Sequence, residues 1–387
     1  MGRSRLKKRR STVRQPVMAA DPRKAMVRLV VAIALVAVGV VLMILFGFPL
    51  IEDLVKGVDP SLRYQPQVEA EFVEDEEEYE NVTLTPNEVY ISEFKIKNEP
   101  YIYNNKMVFT SQQDRTGAFQ LDVLVMYDME EGTSEVIEGV EKKYDNLLSP
   151  VMSGNMIILI DSRAAGGGRI IGYDLEKEEQ FLVKEYAYAL PRLSVAGDLL
   201  CFMQWAGDSV QRLYLYDIKT REAATVKLFD TEIGNSTADI SLYDMVWSEY
   251  GDDGSGTLKR IVFDGDTSRY EHYEFGDRVY EPRTNGKDII FATEKDIVSG
   301  SLMLSTNGGQ PVKIAENVIN YDLGNDYIVY TKDDKVHIQY TNAQDAVVLT
   351  SDIAQNVLAS ANGNVFCYYD ITDIELLDEV VLYVYAS

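Results

Sequence analysis

Short apolar runs alternate with polar turns between Pro191 and Phe229, and this pattern predicts one unit of four β-strands. A Gly-Asp turn at 197–198 separates the first strand from the second, because glycine accepts the positive φ of a tight turn. The second strand is apolar on both faces, which is typical of a strand packed between two layers. The four predicted strands are Pro191–Val195, Leu199–Gln204, Gln211–Asp217 and Ala223–Phe229.

The same turn followed by an apolar strand recurs along most of the chain. A second mark, a strand that ends in Tyr-Asp before a polar turn, stands at 127–128, 173–174 and 216–217. A period of about 40–50 residues with four strands is typical of a β-propeller. We therefore predict an all-β fold, a seven-bladed β-propeller over residues 81–387. The seven copies begin at Asn105, Gly154, Gly197, Tyr243, Gly286, Gly324 and Gly363.

The last copy of the repeat reaches Ser387 after three strands, one fewer than the other copies. An extra strand-like segment, Val89–Ile96, precedes the first copy. We expect this segment to complete the last blade, because a closed ring leaves no exposed sheet edge.

Two copies of the repeat, at 149–159 and 281–291, combine a proline, a glycine turn and an apolar strand. This arrangement resembles the TolB-like β-propeller repeat, and the likeness covers about residues 89–387. The Ser-Pro-Asp-Gly turn usual in that family is absent here. The resemblance implies a propeller fold and a protein-binding or scaffolding role, and it brings no catalytic residues with it.

The segment Leu29–Phe48 has no charged residue and is long enough to cross a hydrocarbon core of ~30 Å as a helix. A cleaved signal peptide would have a shorter apolar core and small residues at its cleavage site, so an uncleaved transmembrane signal anchor at 25–51 fits better. Basic residues stay in the cytoplasm, and residues 1–28 hold ten of them against one acid. We expect a cytoplasmic tail (1–24), a cell-membrane anchor through residues 29–48, an acidic stalk (52–80) and a propeller outside.

The formal net charge is −25 although the N-terminal tail is basic, so the rest of the chain is strongly acidic. An acidic domain repels nucleic acid and anionic lipid. We therefore expect no nucleic-acid partner. The expected partner is an extracytoplasmic protein or a polymer of the cell envelope.

Residues suited to catalysis or metal binding are few and far apart. His272, His337, Cys201 and Cys367 fall in different predicted blades, which disfavours a catalytic triad, a zinc site or a disulfide. We predict two buried free thiols and no catalytic residue, cofactor or metal. The acidic turn Gly251–Gly256 lacks the spaced ligands of a calcium loop, and an ordinary turn is the favoured interpretation.

The sequence favours a non-enzymatic function, a membrane-tethered extracytoplasmic module that binds or scaffolds a cell-surface partner. The alternative is a hydrolase or lyase that acts on envelope polysaccharide or peptide with carboxylates in the propeller channel. Two carboxylates are sufficient for glycoside chemistry, so this alternative stays open at the level of sequence.

The loops between second and third strands share one face of a propeller with the loops between blades. These loops are long in the first four predicted blades, for example Ser111–Gln120, Asp161–Arg169 and Lys184–Leu190. Long loops on a rigid scaffold often carry binding residues. The alternative, that the aromatic rings here pack between blades, stays open. The candidate binding residues are Arg163, Arg169, Tyr186, Tyr188 and Trp205.

Overall fold

The computed structural model describes most of the chain after residue 86. The predicted tail (1–24), membrane anchor (25–51) and stalk (52–80) lie outside the described residues. Among the residues that are described, no helix is long and apolar enough to cross a membrane. The described ranges are 87–89, 94, 98–113, 120–205, 210–230, 237–251, 255–264, 267–273, 278–294, 300–333, 335–343, 346–348, 358–363, 365–369 and 382–386.

The described part of the chain is built from short β-strands joined by turns and loops. In chain order the strands are β1 (Asn87–Val89), β2 (Asn98–Tyr103), β3 (Lys106–Ser111), β4 (Val123–Asp128), β5 (Thr133–Val136), β6 (Asn146–Ser153), β7 (Met156–Ser162), β8 (Gly168–Asp174), β9 (Glu179–Tyr186), β10 (Leu193–Ala196), β11 (Leu199–Trp205), β12 (Val210–Asp217), β13 (Glu222–Asp230), β14 (Asp239–Ile240), β15 (Asp244–Tyr250), β16 (Gly256–Asp264), β17 (Thr267–Tyr273), β18 (Tyr280–Thr284), β19 (Asp288–Ala292), β20 (Ser301–Thr306), β21 (Val312–Glu316), β22 (Val318–Leu323), β23 (Tyr327–Lys332), β24 (Lys335–Tyr340), β25 (Val347–Val348), β26 (Leu358–Asn362), β27 (Val365–Tyr369) and β28 (Leu382–Ala386).

Within the described ranges these strands form seven four-stranded antiparallel sheets. Most sheets follow the chain, as in β2-β3-β4-β5, whereas one has the order β26-β27-β28-β1. The first strands of the sheets are neighbours in a closed series that runs β2, β6, β10, β14, β18, β22, β26 and back to β2. The fold is an all-β β-propeller, as the repeat predicts.

The sheet that contains β26, β27 and β28 takes its fourth strand from the N-terminal side of the propeller. β1 pairs antiparallel with β28, and Asn87 lies opposite Val384 and Val89 opposite Leu382. The pairing strand therefore ends at Val89, where the predicted segment Val89–Ile96 begins. Of the rest of that segment the structure describes only Phe94, which lies outside any strand.

The two sequence marks of the repeat correspond to two kinds of turn. The glycine mark lies between the first and second strands, and Gly154 and Gly197 have φ of +57° and +56°. The Tyr-Asp mark ends the third strand, and Asp128, Asp174 and Asp217 each accept the N–H groups two and three positions later at 2.8 to 3.1 Å. The carboxylate satisfies the backbone donors of the turn, which explains the recurrence of aspartate.

The second strands are apolar on both faces because a neighbouring sheet covers each face. In β11, Leu200 and Phe202 pack with Ile158 of the preceding sheet, whereas Cys201 packs with Trp247 of the following sheet. Adjacent side chains of a strand point to opposite faces. The continuous apolar run therefore contributes to two inter-sheet cores at once.

The Cys201 thiol provides a test of this packing. It is a free, fully buried thiol, and burial raises its pKa well above the usual range. In a chain with Cys367→Ser, we expect no reaction of Cys201 with an aromatic disulfide reagent at about pH 8, because the thiolate is the reactive form. Absorbance should show one thiol per chain after denaturation. Rapid labelling of the folded chain would contradict the described burial.

Candidate functional site

The first strands of three sheets, β2, β6 and β18, each have a β-bulge at a residue that is followed by proline. Glu99, Ser149 and Glu281 have φ of +47°, +48° and +45°, and the pairing register shifts at each of them. Proline has no N–H group, so it fits where the ladder is interrupted. A left-handed φ in a residue other than glycine is strained and is frequent at functional sites. Glu99 and Ser149 also line a pocket at the centre of the ring.

This central pocket has a volume of about 450 Å³ and is lined by residues on or beside β2, β6, β10, β18 and β22. Leu190 reaches it from the connection between β9 and β10. That connection belongs to the face of the loops between second and third strands, which we call the loop face. The polar residues of the lining include Glu99, Ser149, Arg192, Arg283, Asn320 and Asp322.

Carboxylates at the pocket and beneath it link the first strands of neighbouring sheets. Glu99 Oε2 accepts the N–H and the hydroxyl of Ser149 at 2.7 and 2.8 Å. Asp239 accepts the hydroxyl of Ser194 at 2.7 Å and the N–H of Thr284 at 2.8 Å. These carboxylates connect β2 to β6 and connect β14 to both β10 and β18.

Similar links continue through the sheet that β1 completes. Asp322 accepts the N–H of Leu323 at 3.0 Å and that of Ala361 at 2.8 Å. The side-chain amide of Asn362 donates to the carbonyl oxygen of Ile102 at 2.7 Å and to the Tyr101 hydroxyl at 3.1 Å. The β26 region is thus fastened to β22 on one side and to β2 on the other.

Two of these carboxyl groups have unusual proton affinities. Burial raises the pKa of Asp239 to about 6, although Arg192 and the hydrogen bonds from Thr284 and Ser194 oppose the increase. Burial also raises the pKa of Asp322, and Arg192 again opposes the increase. Loss of solvation disfavours the charged form of an acid. Asp239 therefore changes its charge close to neutral pH.

The two arginines of the pocket differ in how they are held. Arg283 is 4% exposed, and its Nη1 donates to the carbonyl oxygens of Pro282 and Glu281 at 2.9 and 3.1 Å. The Glu281 carboxylate lies 3.5 Å from Nη2, and the Tyr321 ring centroid lies 5.5 Å from the guanidinium carbon. Arg192, in contrast, makes no hydrogen bond or ion pair with any residue that the structure describes.

The structure places two of the predicted binding residues around Asp161. Arg169 donates to Asp161 Oδ2 at 2.7 Å and to the carbonyl oxygen of Glu141 at 2.7 Å. The guanidinium of Arg163 lies over the Tyr144 ring at 4.1 Å and donates to its hydroxyl at 2.6 Å. Arg163 is exposed, whereas Arg169 is held by internal contacts.

The predicted aromatic residues lie close by but differ in exposure. Tyr186 is 4% exposed and sits opposite Gly168 in the β8–β9 pair, which favours the packing alternative for this residue. Tyr188 is 49% exposed, and its carbonyl oxygen accepts the Gly167 N–H at 2.9 Å. Trp205 ends β11 and is half-buried. Among the described aromatic residues of the loop face, Tyr188 is the most exposed.

The remaining sequence candidates do not join the pocket. His337 stacks on the Tyr330 ring with centroids 5.0 Å apart, and burial lowers its pKa. His272 lies in β17. Residues 252–254 of the acidic turn lie outside the described ranges. Among the described residues, no group of three or more His, Cys, Asp or Glu side chains is arranged to hold a metal ion.

The sequence argument missed the pocket residues, of which Arg192, Arg283 and Asp322 are the most informative. Their common signal is position, because they lie on or next to the first strands that face the axis of a propeller. The prolines Pro100 and Pro282 mark two of these strands at the same place in the repeat. A charged residue next to such a proline is a pattern that would have found Glu99 and Arg283, whereas Asp322 has no proline near it.

Comparison with known proteins gives the fold and no closer assignment. No protein-family model and no curated protein matches the chain. The β-propeller domain of the Trilobed protease from Pyrococcus furiosus is 13% identical with a TM-score of 0.53, and the match covers 76% of this chain and 94% of that one. Oligogalacturonate lyase from Vibrio parahaemolyticus is 11% identical with a TM-score of 0.54, over 79% and 97% of the two chains. These likenesses show the β-propeller alone.

The TolB resemblance also has a counterpart among solved structures. TolB from Acinetobacter baumannii is 12% identical with a TM-score of 0.44, and the match covers 65% of each chain. The β-propeller fold that the resemblance implies is the fold observed in the sheet topology.

Proposed function

We propose that this chain is a membrane-tethered, extracytoplasmic β-propeller that binds a cell-surface partner without changing it chemically. The observation that carries the proposal is the central pocket, which opens beside the loop face and holds an arginine with no partner among the described residues. The carboxylates around the pocket are already occupied, since Asp239 and Asp322 each accept two hydrogen bonds from the protein. The pocket thus offers the guanidinium of Arg192 to a ligand, whereas its buried carboxylates bind other parts of the protein.

The tether belongs to the same proposal and is supported by the sequence. Leu29–Phe48 is uncharged and follows a basic tail, a pattern that puts residues 1–24 in the cytoplasm and the propeller outside. The acidic stalk at 52–80 acts as a spacer, because like charges repel and extend a chain. The partner is an extracytoplasmic protein or an envelope polymer, and the acidic charge disfavours nucleic acid.

The finer architecture supports a rigid platform for such binding. We propose that the seven described sheets are seven blades of one closed ring and that β1 completes the last blade. The hydrogen bonds from Glu99, Asp239, Asp322 and Asn362 between neighbouring first strands support this arrangement.

The partner should be detectable from outside the cell. With the full chain in intact cells and a membrane-impermeant cross-linker, we expect a specific adduct that Tyr188→Ala reduces about tenfold or more, as for an interface hot spot. Trp205→Ala on the same face should also weaken it. The matched control is Tyr243→Ala, because Tyr243 is 63% exposed on the turn between β14 and β15, at the opposite face. Absence of any adduct, or equal adducts with all variants, would refute the proposal.

A further inference from the structure

Arg192 lines the central pocket and forms no ion pair or hydrogen bond with a described residue. It acts on the carboxyl groups of Asp239 and Asp322 through space but forms no ion pair with either. Both carboxyl groups have their oxygens engaged by other donors. The guanidinium of Arg192 therefore has its planar set of N–H donors available to a bound molecule.

Arg283 is the second arginine of the same lining. Its Nη1 and Nη2 are used by Pro282 and Glu281, but its Nε is buried and has no hydrogen-bond acceptor. A buried donor without an acceptor costs about 1–3 kcal/mol. Because this Nε is also closed off from solvent, Arg283 contributes its charge and its side-chain surface to the lining and offers no free donor there.

The walls of the pocket limit the kind of molecule that fits. Three prolines and three aliphatic residues contribute to the lining, so much of the surface is apolar. The volume of about 450 Å³ is that of a small-molecule site. The apolar lining residues are Pro100, Pro150, Val151, Leu190, Pro191 and Leu193.

The charges at the pocket limit a bound anion to a single negative charge. Glu281 already balances Arg283, so Arg192 remains as one positive charge. Glu99 and Asp322 also line the pocket and repel a second negative charge. A carboxylate carries one charge and two coplanar oxygens that match a guanidinium, whereas a phosphate dianion carries an excess charge.

We infer that the central pocket binds a carboxylate group on a small apolar body, with the guanidinium of Arg192 as the main contact. This inference rests on the proposed binding function and names the chemistry of its ligand. A free small acid and the C-terminus of a peptide share this chemistry.

Calorimetry on the full chain in mild detergent tests the inference with four probes. The probes are N-acetylleucine, its amide, a leucine-terminated apolar tripeptide, and the same tripeptide amidated. We expect at least one free acid to bind with a Kd below about 1 mM and its amide to bind at least about tenfold more weakly. If the tripeptide acid binds more tightly than N-acetylleucine, the ligand is the C-terminus of a peptide. If N-acetylleucine binds equally or more tightly, the ligand is a free small acid.

Variants assign the binding to the pocket. Arg192→Gln should weaken acid binding about 10- to 100-fold, and Arg192→Lys should give a smaller loss. Arg221→Gln should leave acid binding unchanged, because Arg221 is exposed in the turn between β12 and β13 on the opposite face. The melting temperature of each variant shows that it is folded. Equal binding of acid and amide, an unaffected Arg192→Gln variant, or no binding of any probe would overturn the inference. If the native chain binds no acid while Arg192→Gln retains the cell-surface adduct, the carboxylate site is refuted and the proposed function stands.

Discussion

A chain that begins at Asn98, and so lacks β1, is expected to aggregate or to melt about 5–10 °C below a chain that begins at Asn81. Removal of β1 leaves β28 as an open sheet edge. It also deletes the β1–β28 backbone hydrogen bonds, which contribute about 0.5–1.5 kcal/mol each. Phe94 is lost as well, and its ring contacts the Phe109 ring edge-on with centroids 5.9 Å apart. Thermal unfolding and light scattering of the two chains measure the effect.

A third chain separates strand pairing from aromatic packing. Phe94→Ala in the chain that begins at Asn81 keeps β1 and removes only the contact with Phe109. We expect it to lose about 1–3 kcal/mol and to remain free of aggregation. If the chain that begins at Asn98 has the same melting temperature as the chain that begins at Asn81, β1 does not stabilise the last sheet.

Asp239→Asn is expected to stabilise the propeller at about pH 7.5 by about 1–3 kcal/mol relative to the native chain. The pKa of Asp239 is about 6 in the folded chain, against about 3.9 for an exposed aspartate. Protonation of Asp239 therefore stabilises the folded state fully below about pH 4, and this contribution is lost as the pH rises through about 6. Asparagine avoids the buried charge at every pH.

The hydrogen-bond partners of Asp239 can accommodate an asparagine side chain, whereas those of Asp322 cannot. In Asp239→Asn the carbonyl oxygen can accept the Thr284 N–H while the NH₂ group donates to the Ser194 hydroxyl. Asp322 accepts two backbone N–H groups, from Leu323 and Ala361, so Asp322→Asn places an NH₂ group against a donor. We expect that control to lose about 1–3 kcal/mol at every pH.

Urea unfolding at about pH 5 and about pH 7.5 distinguishes the two variants. The native chain should lose about 1–1.5 kcal/mol more than Asp239→Asn over this interval, from the linkage of Asp239 alone. The ionisable neighbours that act on Asp239 are Arg192, which favours its charged form, and Asp322, which opposes it. An identical pH dependence of the native chain and Asp239→Asn would contradict the assignment.

The fold could be predicted because each sheet repeats a local signal. Glycine at 154 and 197 and aspartate at 128, 174 and 217 meet backbone requirements that do not depend on distant residues. The partner of the closing strand is harder to predict than its existence. Residues 89–96 have the apolar pattern of a strand, but pairing with β28 is a long-range property that a local pattern does not contain.

The candidate site was harder to predict because it is assembled by the ring. Arg192, Arg283 and Asp322 come from three sheets, and their proximity depends on the closed order of the first strands. Tyr186 was predicted as a candidate binding residue, with packing between blades as the open alternative, and Gly168 opposite it leaves room for the packed ring. A Cβ atom at Gly168 would lie 2.8 Å from the Tyr186 hydroxyl oxygen. Burial of that tyrosine thus depends on a cross-strand neighbour.

The pairing of β1 with β28 also sets the order in which the molecule can be completed during synthesis. Asn87 lies opposite Val384, so the strand that leaves the ribosome first among those described waits for the one that leaves last. Chains emerge at about 5–20 residues per second, and earlier parts fold first. The intermediate sheets can form as they appear, since each is local in the chain. Pairing of β1 with β28 is instead a late event of very high contact order. Until Val384 has been synthesised, the nascent propeller therefore depends on protection of its unpaired strand edges.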